Sequence, residues 1–468
     1  MKNRKRPSCI SMEKFLLWIF VFLAFTTSCQ KDDIFSDHAL DAEFKATPAI
    51  TEIEPGKYEG YIADYGFDWV ISLPDVSVWN NLDYRYMIFY AHGMVDPVPY
   101  APIELPSDMI GERTVEEIIV GNNMGYASTS YRDNGLVVLD AVENIKELAD
   151  IVSNFFQDYN TDYLPPDLIL LGGPSEGGLV TIKTIEKYPH MFDGAVSIGA
   201  PIGDFWNQLQ YMGDFHVLFN YFFGAELESL GINIGNPAVT ISADIMNAWK
   251  NEDYRPPEWG GLNLQEIIIS ILQSNPSKVY QLIKCAKVTV DMNDETAVGT
   301  ALLELLRFNI MLTNDIHDRM GGIPFDNTRK WYWGSDNDWR LNRLVQRIRA
   351  DYEAKSEVRN YETSGEIEIP VVTIHTTGDH VVPFWHNPKY RYKVFVNGNS
   401  LLHTGIPVDN YGHCTIDESH IMAALYIIIS KIRLINYFNI SGNFFVSPEQ
   451  VNNFKEILKE NSIEVEFR

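Results

Sequence analysis

The sequence predicts an α/β protein with a doubly wound, mostly parallel sheet. Strand-like and helix-like segments alternate along the chain, a pattern typical of a parallel sheet with helices on both faces. Residues 168–171 are apolar at every position, as expected of a central strand buried on both sides. Residues 204–365 separate two predicted strands by far more than a crossover connection needs, which predicts a large, mostly helical cap insertion.

The individual elements follow from residue type and spacing. Short β-branched or aromatic runs bounded by turn residues predict strands at 70–73, 86–90, 125–130, 168–171, 194–199 and 370–374. Apolar residues from Val142 to Phe155 recur every three or four positions, which predicts a helix with one apolar face. Further helices are predicted at 266–272, 300–312 and 339–352 inside the cap, and at 416–435 after it.

The chain begins with the pattern of an export signal. A basic start precedes the apolar run 15–25, which is too short to span a bilayer. Small residues then lead to Cys29, which resembles the lipobox of bacterial lipoproteins, where the cysteine carries the acyl chains. An ordinary signal peptide with a chance cysteine is the alternative. We expect a bacterial outer membrane lipoprotein, tethered through lipid on Cys29, either surface-exposed or periplasmic.

These features divide the chain into four parts. Residues 1–28 are the predicted lipoprotein signal peptide and 29–50 a linker. Residues 51–203 and 366–468 are the predicted α/β core, and 204–365 the cap.

Composition narrows the possible functions. The chain has 37 Lys and Arg against 63 Asp and Glu, a net charge of −26, which disfavours nucleic acid and polyanionic substrates. Of four cysteines, only Cys285 and Cys414 lie beyond the signal and the predicted lipid site, and whether they pair is open. The sequence has no CxxC motif and no metal-ligand spacing, so we expect no metal and no organic cofactor.

The strongest local motif is Gly-Pro-Ser-Glu-Gly at 173–177, directly after a predicted strand and before a helix-like run. A serine exposed at the tip of a strand needs a sharp, crowded turn, and flanking glycines relieve the crowding. Ser175 is therefore the candidate nucleophile. The backbone amide of Glu176 lies at a helix start, where it can stabilise an oxyanion. A glycine-rich turn with an inert serine is the alternative.

A nucleophilic serine needs a base, and the base needs an orienting acid. Asp379 follows the predicted strand 370–374, at the same sheet edge as Ser175. His413 lies in a loop just before the predicted helix 416–435. Several other histidines compete with it, and Asp379 could serve only as a turn former.

The order Ser175, Asp379, His413 resembles that of the α/β-hydrolase superfamily, and further segments resemble its secreted bacterial esterase-like branch. These segments are 79–81, 91–94, 130–135, 375–379 and 411–414. The resemblance covers about 50–203 and 366–437 and leaves the cap unexplained. It implies that the turn after His92 and Gly93 supplies a second oxyanion donor, the amide of Met94.

Together these observations predict a serine hydrolase that cleaves carboxylic esters, from a small or oligomeric substrate, through an acyl-enzyme intermediate. A prolyl-oligopeptidase-like or aminopeptidase-type serine peptidase is the main alternative, although no carboxylate that would grip a substrate amine is evident. A tethered binding protein with a hydrolase fold also stays open. Trp331, Trp333 and Trp339 could belong to the cap core or stack on sugars.

Overall fold

The computed structural model describes residues 50–63, 66–159 and 162–441. The predicted signal peptide, Cys29 and nearly all of the linker lie outside these ranges. Within these ranges, eleven strands form a nine-stranded sheet and a two-stranded hairpin. The strands are β1 (Thr51–Glu54), β2 (Lys57–Ile62), β3 (Phe67–Ser72), β4 (Tyr86–Tyr90), β5 (Met109–Ile110), β6 (Arg113–Thr114), β7 (Gly125–Thr129), β8 (Leu168–Pro174), β9 (Gly194–Ile198), β10 (Val371–Gly378) and β11 (His403–Tyr411).

The large sheet has the order β1-β2-β3-β7-β4-β8-β9-β10-β11. Its first four strands pair antiparallel, and from β7 to β11 every pair is parallel. The parallel strands β4, β8 and β9 are apolar and largely buried, because helices cover both faces. The predicted doubly wound, mostly parallel sheet is confirmed.

Six α-helices belong to the sheet-bearing part of the chain that the structure describes. They are α1 (Val76–Asn80), α2 (Val115–Gly121), α3 (Val138–Asn154), α4 (Ser175–Lys187), α12 (His386–Val396) and α13 (Glu418–Ser441). Helices α3 and α4 pack against each other, and α4 packs on β8 and β9. Helix α13 covers β9 and β10 with Ala424, Leu425 and Ile428. These layers leave the carboxyl ends of the parallel strands as the edge where loops meet.

Residues 204–365 contain helices and no strand, and the structure describes all of them. The helices are α5 (Phe205–Glu228), α6 (Ala243–Lys250), α7 (Leu264–Gln273), α8 (Pro276–Ala286), α9 (Glu295–Met320), α10 (Asp338–Leu344) and α11 (Tyr352–Glu357). They enclose a core of their own, to which Phe215, Phe219 and Phe223 contribute fully buried rings. The large helical cap is therefore present, while its predicted boundaries at 203 and 366 stay a prediction.

Several elements differ from the sequence-based expectation, among them α10 and β11. The predicted helix 339–352 is wrong beyond Leu344, where α10 ends and the chain runs back toward Asn327. The amide of Asn327 donates to the carbonyl oxygen of Ile348 at 3.1 Å, and the side-chain Oδ1 of Asn327 accepts from the amide of Ile348 at 2.8 Å. Strand β11 was not predicted, because Gly405, Pro407 and Asp409 have low strand propensity. Its position at the sheet edge tolerates the proline.

Helix α9 is long and apolar enough, by length and composition alone, to cross a membrane. Half of its apolar window is buried inside the protein, as in a core helix of a globular domain. It packs against α5, α6, α7 and α11 within the cap.

Candidate active site

Ser175 stands at the sharp turn between β8 and α4. Its φ is +53°, a left-handed conformation that is uncommon for a residue with a side chain. The glycines on either side are required by the neighbouring turn: a Cβ on Gly173 or Gly177 would lie 2.0 or 1.9 Å from the carbonyl oxygen of Ala91. The backbone therefore holds a half-buried serine in a strained turn at the strand tip.

Asp379 directly follows β10 and is fully buried. Its Oδ1 accepts hydrogen bonds from the amides of Val381, at 2.9 Å, and Val382, at 2.8 Å. These bonds fix the carboxylate orientation and leave Oδ2 directed toward the neighbouring loop. A buried carboxylate held in this way has one remaining oxygen for an orienting contact.

His413 lies in the loop between β11 and α13, one strand further along the sheet. The hydroxyl of Thr376 donates to the carbonyl oxygen of Gly412 at 2.8 Å and holds this loop against β10. His413 Nδ1 is 2.8 Å from Asp379 Oδ2, and its Nε2 is 2.8 Å from Ser175 Oγ. The structure thus brings all three predicted residues into one hydrogen-bonded chain.

Burial and two neighbouring side chains set the protonation of His413. Burial, the largest effect, disfavours its charged form, but the Asp379 carboxylate and the adjacent Cys414 together outweigh burial and hold the pKa of His413 well above its ordinary value. The Nδ1 contact also selects the tautomer whose unprotonated Nε2 faces the serine hydroxyl. That tautomer can accept a proton from Ser175.

The two predicted oxyanion residues lie beside the nucleophile. Met94 and Glu176 line the same cavity as Ser175. The turn that precedes Met94 approaches closely, since a Cβ on Gly93 would lie 3.8 Å from Ser175 Cβ. Their backbone amides are thus near the serine, and their role as oxyanion donors stays a prediction.

The Glu176 side chain is shielded from water although it lies in the first turn of α4. It is buried, and its Oε1 accepts a 2.8 Å hydrogen bond from the amide of Val137. Burial, the largest effect, raises the pKa of Glu176 to about 8. The first helical turn faces the cap and the 133–138 loop instead of water, which the sequence pattern of α4 did not reveal.

A cavity of about 110 Å³ opens beside Ser175, between the core and the cap. Apolar side chains from α5, α9 and the core make up most of its lining, including Leu209, Phe308 and Leu312. Two polar residues in the lining are engaged in other hydrogen bonds: Asn309 donates to Leu305, and Gln208 donates to Val381 and accepts from His386. The space next to the nucleophile is therefore small and apolar.

The cap holds the loop that carries Asp379. Tyr211 in α5 donates a 2.6 Å hydrogen bond to the carbonyl oxygen of His380, and Gln208 donates to that of Val381 at 2.8 Å. Glu304 in α9 accepts from His380 Nε2. These three cap residues could not be predicted from the sequence, because the resemblance does not extend to the cap and two of their partners are backbone atoms.

A second set of contacts ties the cap to the loop beneath Glu176. Asp315 in α9 accepts from the amide of Leu136 at 2.7 Å. Arg319, one turn later, contacts the carboxylate of Asp133 at 2.7 Å and the carbonyl oxygen of Asn134 at 3.0 Å. The segment 130–135, which resembles the esterase-like branch, therefore lies between the cap and the first turn of α4, which follows Ser175.

The two candidate disulfide partners are free. Cys285 is buried in the cap, whereas Cys414 lies next to His413, with its Sγ 3.7 Å from His413 Nε2. Among residues 50–63, 66–159 and 162–441, no group of three His, Cys, Asp or Glu side chains is placed to hold a metal ion.

The strand order, the turn at Ser175 and the loops after β10 and β11 define the α/β-hydrolase fold. No family model and no curated protein matches the sequence.

Among solved structures, similar chains include feruloyl esterase B from Aspergillus oryzae, at 11% identity over 77% of this chain and 74% of the other, with a TM-score of 0.44. An esterase from Aspergillus oryzae matches at 13% identity over 76% and 73%, with a TM-score of 0.43. A putative dipeptidyl aminopeptidase IV from Bacteroides ovatus matches at 9% over 83% of this chain and 36% of its own, with a TM-score of 0.38. These likenesses are weak, and the geometry of the site carries the functional proposal.

Proposed function

We propose that the protein is a serine hydrolase that cleaves carboxylic esters by acyl transfer. The observation that carries the proposal is the chain of two 2.8 Å contacts from Ser175 through His413 to Asp379, at a strained turn of the sheet edge. A structural serine needs neither a left-handed φ nor a base whose tautomer is set by a buried carboxylate.

The chemistry follows from the geometry. His413 Nε2 takes the proton of Ser175 Oγ as the oxygen attacks the ester carbonyl, and it then returns that proton to the leaving alcohol. Asp379 keeps the ring in position and stabilises its charged form. The amides of Met94 and Glu176 hold the oxyanion. Water, activated by His413, attacks the acyl-enzyme in the second half of the cycle and releases the acid.

The cavity supports a short acyl group as substrate. At about 110 Å³ it is well below the roughly 300 Å³ or more of a pocket for a drug-sized ligand, and its lining is apolar. We therefore expect turnover to favour esters of short aliphatic or single-ring acids over long fatty acids, whether the alcohol is small or part of an oligomer.

A panel of chromogenic acyl esters tests this proposal, given to the wild-type protein and to Ser175→Ala. Ester turnover that is lost in the variant, with a fluorophosphonate adduct on Ser175 in the wild type, supports it. Absence of both turnover and adduct in a folded wild-type protein would leave the binding-protein alternative instead.

One observation favours the peptidase alternative. Glu304 is 44% exposed at its side chain and close enough to His413 and Asp379 for their charges to affect it. Burial opposes its ionisation, but the contact with His380 and the nearby histidine charge hold the pKa of Glu304 below its ordinary value. A carboxylate in this place could grip a substrate amine. Faster turnover of aminoacyl arylamides than of esters, reduced in Glu304→Gln, would establish a peptidase.

We also propose that the protein is tethered to the bacterial outer membrane through lipid on Cys29. The support is the basic start, the apolar run and the small residues before this cysteine. Radiolabelled palmitate should be incorporated into the wild-type chain and not into Cys29→Ala. Equal labelling of the two would contradict the assignment, and protease accessibility in intact cells would distinguish the surface from the periplasm.

A further inference from the structure

Three tryptophans form an exposed cluster on the cap. Trp331, Trp333 and Trp339 are 38%, 68% and 79% exposed. The ring of Trp331 lies 5.6 Å from that of Trp333 and 5.1 Å from that of Trp339, tilted by 52° and 82°. Leaving three large apolar rings in water is unfavourable, and a contiguous exposed apolar group of this kind marks an interaction site.

Hydrogen bonds hold this tryptophan patch (Trp331, Trp333 and Trp339) in a fixed arrangement. The amide of Asn342 in α10 donates to the Tyr332 carbonyl at 2.7 Å, and its oxygen accepts from the Tyr332 amide at 2.9 Å. Arg347 donates to the carbonyl oxygens of Lys330, at 2.6 Å, and Asn342, at 2.9 Å. The segment that carries two of the tryptophans is thus fastened to the helix that carries the third.

The chain segment around the tryptophan patch is rich in basic residues, although the protein as a whole is strongly acidic. Residues 329–349 contain six Lys or Arg and two Asp or Glu, whereas the whole chain has a net charge of −26. Arg329, Arg340 and Arg343 are exposed, and within the described ranges their side chains form no ion pair.

The two nearby acidic side chains and Lys330 already have partners. Both acidic residues accept hydrogen bonds, Asp338 from Gly334 and Ser335, and Asp336 from Gln281. Lys330 is paired with Asp214. The three arginines near the patch are therefore available to an anionic ligand.

Spacing places arginine and tryptophan side by side. Trp339 and Arg343 are four residues apart in α10 and share one helix face. Asn342, next to Arg343, is the residue bonded to the segment of Trp331 and Trp333. The apolar face of an indole can stack on the C–H face of a sugar ring. A guanidinium beside it can donate two parallel hydrogen bonds to a carboxylate.

We propose that the tryptophan patch and its arginines bind an acidic polysaccharide, with uronic acid rings stacked on the indoles and their carboxylates paired with Arg340 and Arg343. An anionic bilayer, which also attracts Trp and Arg, fits less well. A bilayer is flat, so its anionic headgroups would also face acidic residues outside the patch on a protein whose net charge is −26, and would repel them. A polymer chain can contact the basic patch alone. This site is separate from the serine site and does not rest on the proposed activity.

Binding is tested with the full-length chain carrying Ser175→Ala, so that hydrolysis plays no part. The probe is a 1,4-linked galacturonate hexamer, with the 1,4-linked galactose hexamer as the neutral control, measured by titration calorimetry and tryptophan fluorescence. We expect binding of the acidic hexamer that weakens with salt, and at least about tenfold weaker binding in Trp339→Ala and in Arg343→Gln.

Arg391 and Tyr392 on α12 are a matched exposed pair elsewhere on the surface, and Arg391→Gln and Tyr392→Ala should leave the affinity unchanged. Melting temperatures report whether each variant folds. Equal affinity for the neutral hexamer would overturn the role of the arginines. Sedimentation with phosphatidylglycerol vesicles but no hexamer binding would assign the patch to a membrane, and absence of binding to either would overturn the proposal.

Discussion

The hydroxyl of Tyr211 donates a 2.6 Å hydrogen bond to the carbonyl oxygen of His380, the residue that follows Asp379. This bond runs from helix α5 of the cap to the loop that carries the orienting carboxylate of the site. Its donor and acceptor are both buried, so its loss would leave a carbonyl oxygen without its partner. The cap therefore supports the geometry of the hydrogen-bonded residues Ser175, His413 and Asp379.

Replacing Tyr211 with Phe tests this support. We expect a loss of about 1–3 kcal/mol in the free energy of unfolding, from the unpaired carbonyl, and a several-fold lower kcat with a similar KM. Looser contact between Asp379 and His413 should also move the acid limb of the pH profile to lower pH. Tyr221→Phe, on the same helix, is the matched control. A Tyr211→Phe variant that loses stability without any change in its pH profile would show a purely structural role.

Removing the nucleophile should abolish turnover without unfolding the protein. Ser175→Ala removes the attacking oxygen and one hydrogen bond, so we expect kcat to fall by about three to six orders of magnitude. Initial rates with excess substrate measure the fall, and circular dichroism checks the fold. A rate within a factor of a few of the wild type would show that another residue attacks the substrate.

The Asp379→Asn variant separates orientation from charge. In the proposed mechanism, turnover requires unprotonated His413, whose pKa is raised in part by the Asp379 carboxylate. Wild-type kcat/KM should therefore increase with pH through a value above the ordinary histidine pKa. The neutral amide removes that charge, so the acid limb should move to lower pH while the maximal rate falls by about four orders of magnitude. A limb that stays in place would mean that another group controls the profile.

Much of the fold and the contact of Ser175, His413 and Asp379 can be predicted from the sequence, because both depend on local patterns. Close packing against the Ala91 backbone requires the glycines around Ser175, so the turn after the apolar strand β8 has a recognisable sequence motif. Asp379 and His413 follow strand ends, where a parallel sheet gathers its loops.

The cap contacts could not be predicted, because they depend on tertiary packing that leaves no local signal. Tyr211 and Glu304 lie in helices whose apolar spacing indicates only that the helices pack in the cap core. Each of the two residues contacts the loop after Asp379 through one polar atom. Glu176 has the sequence context of a solvated helix start, and only the approach of α9 and the 133–138 loop buries it.

The buried Glu176 carboxyl should make stability depend on pH. Its pKa is about 8 in the folded protein and about 4.5 in the unfolded chain, so the folded state binds more protons between these values. The contribution of Glu176 to stability is therefore greatest below pH 4.5 and is lost as the pH rises to about 8. Relative to Glu176→Gln, the wild type should lose up to a few kcal/mol over this range, measured by guanidinium unfolding at several pH values. Parallel curves for the two proteins would contradict the buried, protonated state.

Replacing Phe308 with alanine should change which acyl-chain length the proposed esterase prefers. The Phe308 ring lines the space beside Ser175 from helix α9, and Phe308→Ala would enlarge a cavity of about 110 Å³ toward the cap. Because the added space is apolar, each further buried methylene of an acyl chain should gain about 0.8 kcal/mol of binding. The optimum chain length should therefore shift to longer esters, measured as kcat/KM across an acyl series. Phe395→Ala, an exposed phenylalanine on α12, should leave the series unchanged. An unaltered optimum in Phe308→Ala would place the acyl group elsewhere in the site.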